Sequence, residues 1–299
     1  MTSSTRSSWW RSAGGQLVVT SGVTVVFEAC MGHQLEYIKI VRQTTLAPYW
    51  SIVCDIVRPR GIIGLWDGFV PWGVVQALTK GAVFGWAHNM LRRGLSGVDG
   101  VSANVKDTLA GAGAGGIQGL VLSPTLLLKT RVMTEPVAIT SPWQAFWESF
   151  RIGFRVVRNE GVASLMKGAP TFAAKRVGDW GSRYAFTNAV EAEISKRKKL
   201  DYYDRIAASL VGGMASAACT IPVDVMVANI QTATAAGQRV SFAGAFAETY
   251  KKNGFDGVLG FATRGFLPRS IHVTLTTVVV KTGTAYVQDR LDPPPSSSS

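Results

Sequence analysis

The sequence has few charged residues, cysteines and histidines, and each shortage narrows the class of protein. Only 17% of the 299 residues are charged, whereas a soluble domain carries about a quarter. The three cysteines are scattered and odd in number, which indicates neither a disulfide framework nor a zinc site. The histidines, His33, His88 and His272, are equally dispersed, and no nucleophile–base or metal-ligand constellation is present. The sequence therefore predicts neither an enzyme nor a cofactor or metal site.

Acidic residues are scarcer than basic ones. Lys and Arg number 31 against 19 Asp and Glu, which gives a formal net charge of +12, and the mean hydropathy is +0.18. Low charge content with a basic excess fits a membrane protein that handles anions or lies against anionic lipid. It also fits a nucleic-acid binder, which needs cations to neutralise phosphates.

Long uncharged runs favour a membrane protein, but they do not exclude a soluble one. About 20 apolar residues are needed for a helix to cross a bilayer core. The uncharged runs are 108–128, 206–223 and 12–27. Three further apolar stretches are interrupted by charges, and these are 69–90, 170–190 and 267–288. Either the interrupted stretches are amphipathic helices of a soluble protein, or their charges face a water-filled cavity among six spans.

An internal repeat favours the second interpretation, because its period is about 90 to 100 residues. "RGIIGLWDGFVP" at 60–71 resembles "EGVASLMKGAP" at 160–170, and both have two glycines seven residues apart. "NGFDGVLGFATRGFLP" at 253–268 is a looser third copy. Each unit reads helix, short amphipathic segment, helix. The predicted repeats are 12–100, 101–200 and 201–292.

A second motif lies upstream of each copy. Its three versions are "QLEYIKIVRQ" at 34–43, "PTLLLKTRVM" at 124–133 and "PVDVMVANIQ" at 222–231. Together the two motifs resemble those of the mitochondrial carrier family, Pro-x-Asp/Glu-x-x-Lys/Arg-x-Lys/Arg followed by a glycine-rich segment, over nearly the whole chain. Gln34 stands where the first motif has its proline. Proline bends a helix and removes a backbone donor, so Pro124 and Pro222 are expected to kink the odd-numbered helices.

The resemblance implies a fold and a setting. The fold is an all-α membrane protein with six transmembrane helices in a three-fold pseudosymmetric barrel and short matrix-side amphipathic helices. The setting is the mitochondrial inner membrane, which the chain crosses several times as a monomer. Anionic lipids such as cardiolipin are the expected neighbours, and small anionic metabolites the expected cargo.

The resemblance also implies a gate of ion pairs at the matrix end. In the family, the acid of one odd-numbered helix pairs with the base of the next. Glu36 is therefore expected to pair with Lys129, and Asp224 with Lys39. Acid and base three residues apart are offset by about 60° around the helix axis, so one can face the preceding helix and the other the following helix.

The third gate contact departs from the family pattern. It falls on Leu126 and Val227, and both are apolar. An apolar pair of suitable shape replaces a buried ion pair with little loss of stability, so we expect these side chains to touch; the alternative is that both face lipid. Gln43 and Gln231 match family positions that brace the gate. On the cytosolic side, only "YVQDR" at 286–290 resembles the corresponding motif, which predicts a weakly charged outer gate.

The even-numbered helices carry the candidate substrate site, because substrate binds at mid-depth on these helices in the family. The candidate residues are Gln76, Lys80, Phe84, Lys175, Arg176, Arg183, Arg269 and His272. Lys80, Arg176 and Arg269, together with Lys175, are expected to converge on one cavity and to grip several carboxylates. The alternative is that Lys175 and Arg183 pair with Asp179 along their own helix or extend towards the surface.

Glycines four residues apart mark the third predicted helix. "GAGAGGIQG" puts Gly111, Gly115 and Gly119 on one face, which favours close approach of a neighbouring helix. A phosphate-binding loop would need a following Lys and a preceding strand, and both are missing from the sequence.

The expected function is therefore exchange of small anions by alternating access. "PWGVVQALTKGAV" at 71–83 and "DWGSRYAF" at 179–186 resemble the tri- and dicarboxylate carriers of the family, which implies exchange of the citrate/2-oxoglutarate type. Two alternatives stay open. One is a carrier for another anion, such as a nucleotide or phosphate. The other is a basic, membrane-anchored relative that binds DNA or lipid without transport.

Overall fold

Helices make up the architecture. The computed structural model describes residues 13–44, 47–134, 142–235 and 266–291, with isolated positions between 244 and 263, and within these residues there are helices and turns but no strand. The α-helices are α1 Ala13–Phe27, α2 His33–Thr44, α3 Tyr49–Arg60, α4 Val74–Ser96, α5 Ala103–Thr134, α6 Pro142–Glu160, α7 Ala169–Ser195, α8 Tyr202–Ala235 and α9 Phe266–Leu291. The prediction of an all-α protein is confirmed for the described residues.

The long helices close into a ring in chain order. Helix α1 packs on α4, α4 on α5, α5 on α7, α7 on α8, α8 on α9, and α9 returns to α1. Helix α2 continues α1 and contacts both α8 and α9. The shorter helices α3 and α6 lie between the ring helices in sequence. The ring therefore encloses an interior that several helices share.

Two ring helices have the length and composition of membrane spans. These are the segments Ala103–Met133 and Tyr202–Val225, and a third candidate is the pair Tyr49–Pro59 and Ile62–Ser96, which bends by 110°. Other ring helices carry charges inside their apolar stretches, such as Lys80 in α4 and Arg269 in α9. A charge at membrane depth is costly unless it faces a partner or a wet cavity, so the direction of these side chains matters.

The repeated glycines form tight turns before α4 and α7. Gly68 and Gly168 have φ angles of 77° and 78°, a left-handed conformation that side chains with a Cβ adopt only at a cost. A Cβ at Gly68 would also lie 2.9 Å from the carbonyl oxygen of Lys129. In the third repeat, Gly254 has a φ of 62°, whereas Phe261 lies outside the described residues. The glycine motif thus brings the start of α4 against the end of α5.

The glycine face of α5 packs directly on α7. A Cβ added at Gly111 would lie 2.6 Å from the Tyr184 ring, and one added at Gly115 would lie 2.5 Å from the Arg176 carbonyl oxygen. A Cβ on Gly119 would lie 2.7 Å from the Ala173 Cα. Real side chains do not approach this closely, so only glycine permits this separation of the two helices. The predicted close packing is confirmed.

The helix formed by α1 and α2 is interrupted although it has no proline at the break. A π-helical turn, Glu28–Gly32, joins α1 to α2, and such turns leave a backbone carbonyl without its α-helical partner. Here the Ala29 carbonyl oxygen accepts hydrogen bonds from Gln34 Nε2 at 2.9 Å and Trp66 Nε1 at 2.7 Å. Pro124 and Pro222 lie inside α5 and α8; bending at these prolines stays a prediction.

Candidate substrate site and matrix gate

Two ion pairs join α2, α5 and α8, the helices that carry the three acid–base motifs. Lys129 Nζ of α5 donates to Glu36 Oε2 of α2 at 2.5 Å, and Lys39 Nζ of α2 lies 3.5 Å from Asp224 Oδ2 of α8. Lys129 and Asp224 are each only 2% exposed. These are the partners that the family motifs imply, and their role as a gate stays a prediction. The two contacts tie three helices together at one end of the ring.

The expected apolar contact is described on one side only. Leu126 is half-buried on α5, two residues after Pro124. The side chains of Val227, Gln43 and Gln231 lie outside the part of the chain that the structure describes. The contact between Leu126 and Val227 and the bracing by the two glutamines therefore stay predictions.

Asp224 receives more cations than the motif predicts. Besides Lys39, the Asp224 carboxylate faces Lys175 Nζ at 2.7 Å and forms a close ion pair with the Arg269 guanidinium. Helices α2, α7 and α9 each supply one of these cations, and the Asp224 side chain has no exposed surface. The acid of the α8 motif is thus bound to two residues that were expected to face the substrate.

Arg269 also bonds to a second acid. Its Nη2 donates to Asp179 Oδ1 of α7 at 2.6 Å and to Thr220 Oγ1 of α8 at 2.7 Å. The alternative interpretation of the sequence paired Asp179 with Lys175 and Arg183 along α7. In the structure the ion pair of Asp179 instead crosses from α7 to α9, because the long guanidinium reaches between the two helices.

Lys80 meets a carboxylate that the sequence analysis missed. Lys80 Nζ of α4 lies 3.5 Å from Glu28 Oε1, and His272 Nε2 of α9 lies 3.7 Å from the same oxygen. Glu28 is 5% exposed and stands in the π-helical turn. Glu28 is the first acid of the chain and directly follows the uncharged run 12–27, so a charge at the end of a predicted span was the available signal.

A glutamine in the glycine-rich stretch joins three helices. The Gln118 side-chain oxygen accepts hydrogen bonds from the Arg176 guanidinium and from Trp180 Nε1, the latter at 3.2 Å. Its amide nitrogen donates to the Lys80 carbonyl oxygen at 2.6 Å. Gln118 is 1% exposed. The residue was missed because the glycines around it carried the packing argument, yet a glutamine in an uncharged run needs buried partners.

Phe84 belongs to an aromatic group between α4 and α7. Its ring stacks on Trp180 at a centroid distance of 3.9 Å, and His88 stacks on Tyr184 at 5.2 Å. The Arg183 guanidinium lies over the Trp180 ring at 5.0 Å, a cation–π contact. Arg183 therefore faces an aromatic ring at this site.

The predicted outer gate is described in part. Arg92 Nη1 of α4 lies 3.4 Å from Asp107 Oδ1 of α5, and His88 Nε2 of α4 lies 3.6 Å from the same oxygen. The Arg92–Asp107 ion pair therefore joins these neighbouring ring helices. Most side chains of "YVQDR" at 286–290 lie outside the described residues.

Gln76 is half-buried on α4, one helical turn from Lys80.

An exposed ion-pair group connects α5 to the turn that precedes α7. Glu160, the last residue of α6, accepts from Lys167 Nζ at 2.7 Å and from Arg131 Nη2 at 3.1 Å. The hydrogen bond from Lys167 lowers the pKa of the Glu160 carboxyl below its ordinary value of 4.5, and the Arg131 charge adds to the effect although burial opposes it. Arg131 is the second base of the α5 motif, so this motif also reaches the neighbouring amphipathic helix.

A closed ring of helices with paired acids and bases in its interior defines the class, a multi-helix membrane protein with a polar centre. The family model for mitochondrial carrier proteins matches residues 101–196 and 198–291. The chain therefore belongs to the mitochondrial carrier family. Its members are transporters, not enzymes.

Named relatives share about a quarter of the residues. The citrate/oxoglutarate carrier protein of Saccharomyces cerevisiae is 27% identical over 259 residues, which are 80% of this chain and 78% of that protein. An uncharacterized mitochondrial carrier of Schizosaccharomyces pombe is 26% identical over 283 residues, 92% of this chain and 93% of its own length. The mitochondrial dicarboxylate/tricarboxylate transporter of Arabidopsis thaliana is 23% identical over 218 residues, 71% and 72% of the two chains.

Proposed function

We propose that this chain exchanges small di- and tricarboxylates, of the citrate/2-oxoglutarate type, across the mitochondrial inner membrane by alternating access. The observation that carries the proposal is the set of basic side chains that α4, α7 and α9 direct into the interior of the ring. Lys80 comes from α4, Lys175 and Arg176 from α7, and Arg269 from α9. Several cations at short range suit an anion with two or three carboxylates.

The internal ion pairs suggest how binding could be coupled to the gate. Lys175 and Arg269 are held by Asp224, the same acid that pairs with Lys39. A substrate carboxylate that takes Lys175 or Arg269 competes with Asp224 for its counter-charges. Substrate therefore binds better to the state in which Asp224 has moved away, and a difference in affinity between two states shifts their populations.

Relatives with carboxylate substrates support this substrate class, and one relative has a different substrate. Two of the named relatives carry citrate and oxoglutarate, or di- and tricarboxylates, by their names. Another relative is a thiamine pyrophosphate carrier of Aspergillus niger, 24% identical over 184 residues. A phosphate-bearing substrate is therefore the second candidate, and the stacked rings of Phe84 and Trp180 beside Arg183 favour it, since aromatic rings and guanidinium groups recognise nucleobases.

Proteoliposomes test the proposal directly. Purified protein is reconstituted in vesicles preloaded with citrate, 2-oxoglutarate, malate, ATP, thiamine pyrophosphate or phosphate, and uptake of labelled 2-oxoglutarate is measured. Uptake should be stimulated by an internal di- or tricarboxylate and lost in Lys175→Gln. The matched control is Lys196→Gln, which removes an exposed cation that pairs with Glu193 at the end of α7. No carboxylate-stimulated uptake would contradict the proposal, and ATP- or phosphate-driven uptake would favour the second candidate.

The alternative without transport makes a different prediction. A basic relative that binds DNA should lose affinity steeply as salt rises, because each phosphate contact releases a counterion. Purified protein in detergent should therefore be titrated with a fluorescent duplex at several salt concentrations. Binding that is weak and independent of Lys175 supports the carrier; tight, salt-sensitive binding together with no transport supports the alternative.

Helix α6 supports the proposed contact with anionic lipid. Trp143, Trp147 and Phe154 are 68%, 49% and 65% exposed, and Arg151 and Arg155 lie on the same helix. Exposed aromatic rings with interleaved arginines are typical of a helix that lies in the interface of an anionic membrane. We expect transport to rise when cardiolipin is added to neutral vesicles, and the protein to elute in detergent at the size of a monomer.

A further inference from the structure

Glu28 has the geometry of a carboxylate that can accept a proton. Its Oε1 lies 3.5 Å from Lys80 Nζ and 3.7 Å from His272 Nε2, while its Oε2 is buried and has no hydrogen-bond partner among the described residues. A Cβ at Gly32 would lie 2.5 Å from Oε2, so any other residue at position 32 would force the Glu28 side chain to move. π-helical turns occur often at functional sites.

His272 is equally suited to relay a proton. Its ring stacks on Phe27 at 5.7 Å with an interplanar angle of 11°, which fixes the edge that carries Nε2 towards Glu28. The Nε2 atom is buried and lies 3.7 Å from Glu28 Oε1. Histidine is the side chain whose ordinary pKa lies nearest to physiological pH.

The other charged or titratable groups near this site are already engaged. Helix α1 brings no charged residue between Ala13 and Phe27. From α2, Glu36 is paired with Lys129, and the His33 ring contacts the Asp67 carbonyl oxygen at 3.0 Å. From α9, Arg269 is held by Asp179 and Asp224. Among the described residues, Lys80 and His272 are therefore the groups that balance the charge of Glu28.

We propose that Glu28, with His272 as its relay, takes up one proton from the aqueous phase when an anion binds Lys80, so that this carrier moves protons together with its substrate. The inference rests on the proposed function. When a substrate carboxylate occupies Lys80, Glu28 loses its counter-charge inside the ring. A buried carboxylate without a partner is strongly disfavoured and becomes neutral instead. The protonated His272 ring gives its Nε2 proton to Glu28 Oε1, so an N–H bond breaks as the O–H bond forms, and the ring regains a proton from water. The steps reverse when the anion departs and Lys80 returns to Glu28.

The sign of the pH dependence follows from this competition. A lower pH on the side from which the anion enters favours the protonated Glu28 and therefore favours anion binding. For one coupled proton, the apparent affinity should rise by up to about tenfold per unit of pH decrease. Glu28→Gln resembles the protonated form permanently, so this variant should bind the anion with an affinity that no longer depends on pH in this way.

The experiment measures how exchange and anion binding depend on protons. Proteoliposomes that contain malate are given labelled 2-oxoglutarate at several external pH values, and purified protein is titrated with 2-oxoglutarate by calorimetry in buffers of different ionisation enthalpy. The wild-type protein should show an apparent affinity that rises as the external pH falls, and heats of binding that depend on the buffer. Glu28→Gln should lose both the pH dependence of the affinity and the buffer dependence of the heat, His272→Gln should slow exchange but keep the buffer-dependent heat, and the exposed Glu193→Gln should match the wild type.

Two outcomes separate the inference from the proposed function. If no carboxylate is exchanged at any pH, the proposed function is wrong and this inference falls with it. If carboxylates are exchanged but the affinity does not change with pH and the heats do not depend on the buffer, or if Glu28→Gln keeps the wild-type response, only the proton inference is overturned. Should Glu28→Gln not fold, titration calorimetry of the wild type with 2-oxoglutarate in buffers of different ionisation enthalpy decides: heats that do not depend on the buffer exclude proton uptake.

Discussion

The guanidinium of Arg269 and the carboxylate of Asp224 form an ion pair in the interior of the ring, where α8 and α9 meet. The pair links a residue of the candidate substrate site to a residue of the matrix motif. Lys175 and Lys39 approach the same carboxylate from α7 and α2. One acid thus balances cations from three helices, and this arrangement leads to the first prediction.

Replacing Asp224 should destabilise the protein strongly. Asp224→Asn leaves Lys39, Lys175 and Arg269 together without the acid that balances them, and breaking a buried ion pair by removing one partner costs about 3–5 kcal/mol. Thermal unfolding in detergent should show a markedly lower Tm. The exposed Glu193→Gln serves as the control, and an equal Tm for both variants would show that Asp224 is not the structural centre of the network.

Leu126 and Val227 should behave as partners. Leu126→Asp alone should impair transport, because it places an acid in the gate without a base. Adding Val227→Lys should restore transport, because a suitably placed pair regains the interaction that each single change lacks. Uptake in proteoliposomes measures both. If the double variant is no better than Leu126→Asp, the two residues do not face each other.

The glycine face of α5 should not tolerate even one methyl group. Gly115→Ala forces a Cβ to within 2.5 Å of the Arg176 carbonyl oxygen, so α5 and α7 must separate, at a cost of about 1–3 kcal/mol. Gly178→Ala in α7 is the matched control, because a Cβ there meets no atom within 4 Å. The control should be neutral or stabilising by about 0.5–1 kcal/mol, since glycine weakens a helix interior. Equal effects on Tm would contradict the packing argument.

Glu160 should contribute little stability, and only above acidic pH. Its pKa is lower in the folded protein than its ordinary value of 4.5, first because of the hydrogen bond from Lys167. A carboxyl with a lowered folded pKa stabilises the fold above the unfolded pKa, and this stability is lost as the pH falls through the folded value. Because the group is exposed, Glu160→Gln should cost no more than about 1 kcal/mol at pH 7. The difference in Tm from the wild type should disappear well below pH 4.5; a difference that grows at acidic pH would contradict this account.

Local rules made much of the fold predictable. The glycine pairs revealed the repeat, and in the structure Gly68 and Gly168 adopt the left-handed conformation that only glycine adopts readily. The four-residue spacing of Gly111, Gly115 and Gly119 predicted a close helix contact, because residues four apart share one helix face. Such features depend on neighbours in sequence, so the sequence alone contains the information.

The candidate site residues could be proposed from the sequence, but their ion-pair partners could not. Lys80, Lys175 and Arg269 stand out because charges inside apolar helices need a reason. Their partners could not be derived, since Glu28, Asp179 and Asp224 come from helices that are distant in sequence. Gln118 was missed for the same reason, because its three partners lie on α4 and α7.

The sequence by itself determined the helices and the repeat, because both follow from short-range spacing and from three related motifs. The resemblance to the family implied the ion pairs Glu36–Lys129 and Lys39–Asp224, which the structure contains. Only the tertiary structure decided that Arg269 bridges Asp179 and Asp224, and that Glu28 lies beside Lys80 and His272. The physical reason is the reach of long side chains inside a closed ring. A buried charge must find an opposite charge or a polar partner, and the packing of the helices decides which one is near enough.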